Sequence, residues 1–143
     1  MPWYLAAVAS AAVVWAAVSD ALRYRIPNAC ILVLLGIAAA HAATQGSFAV
    51  LGIKEALAVF LPGCLLFYGK ALGGGDVKLA TACMLLLPGR LWSFLIVMSV
   101  LGGLLAVAYL VCRLCTRRTS RYLPYGVAIA GAALLEFCGL TMV

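Results

Sequence analysis

The sequence predicts an all-α membrane protein, a polytopic helix bundle of about six transmembrane segments with both termini outside. Three observations predict it. The chain is 67% hydrophobic and only 10% charged, with a mean hydropathy of +1.18, where a soluble domain is nearer half apolar and about a quarter charged. The apolar residues fall into six runs separated by short polar breaks. The basic residues gather in every second break. One compact unit over residues 1–143 is the simplest domain organisation.

The first run spans about Trp3 to Ser19. No basic stretch precedes it and no obvious small-x-small site follows, so it reads as a retained helix rather than a signal peptide. The break SDALRYRIPN (19–28) holds Asp20, Arg23 and Arg25, and its Pro27 and Asn28 suit a turn that restarts a helix. The second run, about Ala29 to Ala43, is marginal for a span, which wants roughly 20 residues. The uncharged TQGS (44–47) follows, then the third run from about Leu51 to Tyr68. GKALGGGDVK (69–78) holds Lys70, Asp76 and Lys78. The fourth run starts near Val77 and stops at Pro88; it either extends back through the glycines or falls short of crossing. PGR (88–90) is a tight turn. The fifth run covers about Leu91 to Cys112, and the sixth about Tyr125 to Val143. Between them lie Arg113, Arg117, Arg118 and Arg121.

Charge sets the orientation. Breaks after the odd runs carry eight Lys and Arg, whereas those after the even runs carry only Arg90. Basic loops stay in the cytoplasm, so the odd breaks are cytoplasmic. The same bias accounts for the net charge of +6 without nucleic acid as a partner. Trp3, Tyr4 and Trp92, near the outer ends, read as interfacial anchors in the lipid. Of the six cysteines, Cys112 and Cys115 form one CxxC. That is half of a usual zinc ligand set, and the single His41 lies in another run, so no metal and no cofactor are expected.

The same topology puts Asp20 and Asp76 in one layer, although 56 positions separate them. Taken singly, each aspartate marks a helix end. Asp76 suits a helix N-terminus, while Asp20 at a C-terminus has the wrong sign. Taken together they suggest acid–base chemistry. Two close carboxyls cannot both ionise easily, so one keeps a proton. The ionised partner can then activate a water while the protonated one polarises a carbonyl. Gly73, Gly74 and Gly75 leave no side chain in front of Asp76, so a substrate backbone could approach, and the loop could adopt φ values closed to other residues.

Gly73 to Asp76 match a GxGD pattern, and the chain resembles the type IV prepilin peptidases, which are membrane aspartyl proteases. The resemblance rests on SDALRYRIPN, on GGGDVKLA (73–80) and on PYGVAIAGAAL (124–134). It implies a catalytic pair, Asp20 and Asp76. It also implies an endopeptidase that removes the short basic leader of prepilin or pseudopilin substrates at the cytoplasmic face of a bacterial inner membrane. Larger members carry an insertion with two CxxC pairs and methylate the product. The short break after the first run leaves no room for that insertion, so the chain looks like the short form found in tight-adherence (Flp) pilus systems.

The remaining candidates are substrate-binding ones. Lys78 could dock a substrate carboxylate or simply follow the positive-inside bias. Pro124, Tyr125 and Gly126 could shape the cytoplasmic rim of the site or merely start a helix. Glu55 beside Lys54, and Glu136, have no assignable role, and the oligomeric state is open. The competing class is a small proton-coupled carrier or a pilus-assembly scaffold. A carrier would set its carboxylates near the midplane, and a scaffold would need neither.

Overall fold

The computed structural model describes residues 2–23, 25–45, 47–70, 72–116 and 125–139. Among them are six helices and no strand: α1 (Trp3–Arg23), α2 (Asn28–Gln45), α3 (Ser47–Tyr68), α4 (Gly74–Leu86), α5 (Leu91–Thr116) and α6 (Tyr125–Phe137). The expected all-α bundle is therefore the observed one. Three helices, α1, α3 and α5, are long and apolar enough to cross a membrane, and α2 and α6 are shorter apolar helices. Pro124 and the arginines at 117, 118 and 121 lie outside the described residues.

Each apolar run became a helix, with shifts at the ends. Asp20 is inside the last turn of α1, not beyond it. The fourth run does extend backward: α4 begins at Gly74 and takes in Asp76. At 13 residues it is about 20 Å long, short of the ~30 Å hydrocarbon core. Pro62 sits inside α3, which neighbouring helices make tolerable in a membrane.

α4 occupies the middle. Val77, Leu79, Ala80, Ala82, Cys83, Met84 and Leu86 are all buried. It packs against α2, α3 and α6, while α1 lies between α2 and α6, and α5 leans on α6. The buried stripe of α1 is Ala9, Ala12, Val13 and Ala16, and Asp20 continues it. That spacing is one face of a helix. It meets the small residues Ala130, Ala132 and Ala133 of α6 within the common core. Small side chains let helix backbones approach closely where lipid supplies no hydrophobic drive between them.

Two carboxylates brace the end of the bundle away from Asp20. Glu136, at the far end of α6, is 3% exposed. Its Oε2 lies 2.8 Å from the Arg90 guanidinium, and its other oxygen accepts the Ser93 hydroxyl. Glu55 on α3 accepts the Gly89 N–H at 2.8 Å, in the turn between α4 and α5. Gly89 needs its φ of +83° there. The two glutamates without a sequence role thus tie α3, the α4–α5 turn and α6 together.

Arg90→Ala removes the cation from a buried carboxylate, and stranding such a group costs about 1–3 kcal/mol. The thermal-unfolding midpoint of the solubilised protein should fall. Arg90→Met with Glu136→Leu should recover most of the loss, because apolar replacement of a buried pair is often near neutral. An unchanged midpoint for Arg90→Ala would deny the brace any role in stability.

Candidate active site

Three helix ends converge to form the site: the C-terminal turn of α1 and the N-terminal turns of α4 and α6. A helix N-terminus leaves backbone N–H groups without intrahelical partners and carries partial positive charge. Both aspartates use this. Asp76, in the first turn of α4, turns its Oδ2 back to the Gly73 N–H at 3.3 Å, one half of a capping box. Asp20 reaches across to α6 and accepts the buried Gly126 N–H at 2.9 Å. Its own helix end repels a carboxylate, so the α6 N-terminus supplies the compensation.

Both carboxylates line one polar cavity of about 320 Å³, with Arg25, Asn28, Gly73 and Lys78 also in its wall. Burial and the neighbouring Asp20 charge push the Asp76 carboxyl up to about 6, against the Gly73 hydrogen bond that favours its ionised form. Asp76 also closes one end of a second, apolar cavity of about 550 Å³ that Tyr125 lines too. Thus Asp20, Asp76, Gly73, Gly75 and Lys78 share a wall, Tyr125 stands on the apolar side of Asp76, and Gly126 lies behind Asp20.

The glycines work differently from the expectation. Gly73 has an ordinary extended backbone, φ −74° and ψ 144°, and the described glycines with positive φ are Gly89 and Gly139. What Gly73, Gly74 and Gly75 provide is close approach. A Cβ on Gly73 would lie 2.9 Å from Asp76 Oδ2, one on Gly74 3.2 Å from the Phe67 ring, and one on Gly75 3.3 Å from Ile26. Gly74 faces Phe67 and is not in the wall of the polar cavity. Gly126 is the tightest: an added Cβ would sit 2.6 Å from Asp20 Oδ2.

Several supporting residues had been given no role in the site. The Ser19 hydroxyl donates to the Arg25 carbonyl at 2.9 Å and pins the strap after α1. Ile26 packs on Gly75, and Asn28 and Arg25 complete the cavity wall. All four lie in SDALRYRIPN, so the signal was present in that stretch. Among the described residues no three His, Cys, Asp or Glu side chains gather as metal ligands. His41 is buried in α2, away from this wall.

The model of the type IV leader peptidase family matches residues 7–111, well over half of the chain and both aspartates. No curated protein and no solved structure matches it. The family match indicates a peptidase, and the chain belongs to the type IV leader peptidase family.

Proposed function

We propose that this protein is a membrane aspartyl endopeptidase of the short form, cutting the basic leader from type IV prepilin-like substrates at the cytoplasmic face of a bacterial inner membrane. Asp20 and Asp76 are the catalytic pair, and the whole of 1–143 acts as one peptidase domain. The observation that carries the reading is that both carboxyls line one polar cavity, with Asp76 raised to about 6 beside the Asp20 charge. Such a pair shares one proton.

The chemistry follows from that proton. The ionised carboxylate takes a proton from a water, whose oxygen attacks the scissile carbonyl. The protonated carboxyl hydrogen-bonds the carbonyl oxygen and passes its proton to it. Collapse of the tetrahedral intermediate breaks the C–N bond; the leaving amine takes a proton from one carboxyl while a hydroxyl of the intermediate returns its proton to the other, which restores the singly protonated pair. The polar cavity that both carboxyls line is the space available to a peptide backbone. Lys78, exposed in the same wall, is available to a substrate carboxylate.

Asp20→Asn and Asp76→Asn keep side-chain shape and remove the titrating group. Coexpressed with a prepilin, each should abolish leader removal on a gel, while the variant still accumulates in the membrane. Each should be nearly as damaging as the double change, since the pair acts as a unit. Near-normal processing by either variant would sink the aspartyl reading and favour a carrier or scaffold.

The rate should also fall on the alkaline side. A pair that needs one proton loses it as pH rises past its upper apparent value, which the raised Asp76 carboxyl places above the ordinary carboxylate range. A flat profile from about pH 6 to 9 in the purified enzyme would contradict the shared proton.

Gly126→Ala forces Asp20 away from its amide. A displacement near 1 Å costs on the order of 100-fold in rate. The expected result is a large drop in kcat with little change in KM. Normal kcat would mean that Asp20 is not held by α6 during the reaction.

A further inference from the structure

The two aspartates stand on helices that barely meet. Among the described residues, α1 and α4 are not substantially packed against each other; α2 and α6 lie against both. The spacing of the two carboxyls must therefore be set by something between them. At their own end of the bundle that element is the strap from α1 to α2, of which Arg25, Ile26 and Pro27 are described.

The strap touches both sides of the site. Toward α1, the Ser19 hydroxyl donates to the Arg25 carbonyl at 2.9 Å, and Ser19 immediately precedes Asp20. Toward α4, Ile26 packs on Gly75, the residue before Asp76; a Cβ added at Gly75 would lie 3.3 Å from the Ile26 Cβ. Little slack separates these contacts. Pro27 has a fixed φ and holds Ile26 extended, and its carbonyl accepts the Cys30 N–H at 3.1 Å, which ties the strap to α2.

We propose that Ser19 is a positioning residue: through the Arg25 carbonyl and Ile26, its hydroxyl sets the spacing between the Asp20 and Asp76 carboxyls. The inference rests on the proposed catalytic pair and adds a residue outside the wall of the polar cavity.

Release of the pin lets Ile26 lift from Gly75, so the carboxyls part and water enters between them. Repulsion between two carboxyls weakens with distance and with hydration. Both changes lower the upper apparent pKa of the pair, and the alkaline limb of the rate profile moves to lower pH. The charged side chains in the same wall are Arg25 of the strap and Lys78 of α4. The other packed elements present Asn28 from α2, Phe67 from α3, and Tyr125 with the Gly126 amide from α6. Displacing Arg25 acts in the opposite sense, but its side chain is exposed and its pull is screened by solvent. Burial and the Asp20 charge are what raise Asp76. A pin of purely structural value would change the amount of folded enzyme and leave the profile of each active molecule alone.

The test uses the purified protein in lipid nanodiscs and a synthetic prepilin peptide spanning the leader junction, with kcat followed from about pH 4 to 9. Ser19→Ala removes the donor, and alanine itself favours the α1 helix. It should lower kcat roughly tenfold, the cost of about half of a 1 Å misplacement worth ~100-fold. It should also move the alkaline limb down by about half a unit or more. Ser19→Thr keeps a hydroxyl and should restore both. Ile26→Ala should reproduce the shift, and the double change should be little worse than either single one, because one path carries both. Arg90→Ala, at the far end of the bundle, should keep the wild-type profile.

An unmoved limb in Ser19→Ala, no rescue by threonine, or the same shift in Arg90→Ala overturns the proposal. Should Ser19→Ala fail to accumulate, Ile26→Ala carries the test, and an unmoved limb there is equally fatal. The catalytic reading fails by a different result, normal cleavage by Asp20→Asn or Asp76→Asn. The pin alone fails when those variants are dead and Ser19→Ala behaves as wild type.

Discussion

The hydrogen bond from the Gly126 N–H to Asp20 is the contact on which the site depends. Asp20 ends the buried stripe of α1, at the helix end least favourable to a carboxylate. Its presence there is sustained by a donor from a helix 106 positions later in the chain. Only glycine allows the approach, since a Cβ at 126 would lie 2.6 Å from the carboxylate oxygen. The same contact fixes α6 against α1 and thereby sets Tyr125, one residue earlier, beside Gly102 and the apolar cavity. Asp76 repeats the device on α4 with its own Gly73 N–H. Two helix N-termini thus hold two carboxyls at one end of the bundle.

That arrangement works against stability. Asp76 has a folded pKa of about 6, above its ordinary 3.8. Folded protein then binds more protons than unfolded chain in that interval. The stabilising contribution is full below about pH 4 and is lost as pH rises through about 6. The rest of the fold must offset it. The small-residue seam between α1 and α6 does so by close packing, and the Arg90–Glu136 and Glu55–Gly89 contacts brace the opposite end. The polar strain at one end and the polar braces at the other are joined by the buried body of α4 and α6.

Much of this was legible in the chain. Hydropathy marked all six helices, because apolar length is what a membrane selects. The two aspartates stood out because few charges interrupt the apolar runs and the basic breaks put them in one layer. The start of α4 was harder. Glycine argues against a helix locally, yet Asp76 caps the turn and Phe67 and Ile26 pack on Gly74 and Gly75. Glu136 and Glu55 were opaque for a different reason. Their partners lie 46 and 34 positions away, and no local pattern announces a contact of that range.

The shortness of α4 leaves at least one of its ends inside a membrane of ordinary thickness. A helix of about 20 Å cannot bring both of its ends to the two surfaces of a ~30 Å core. Its Asp76 end lines both the polar cavity and the apolar cavity. A substrate with a polar head on an apolar helix carries the same boundary within its own sequence. Lipid would hold that boundary at a fixed depth before any protein contact forms, through the expense of burying the polar head. Under the proposed reading, register along the bond comes chiefly from this matching of depths. The protein then needs few sequence-reading contacts, which suits a site whose polar wall, among the described residues, offers only Arg25, Asn28 and Lys78 besides the two carboxyls.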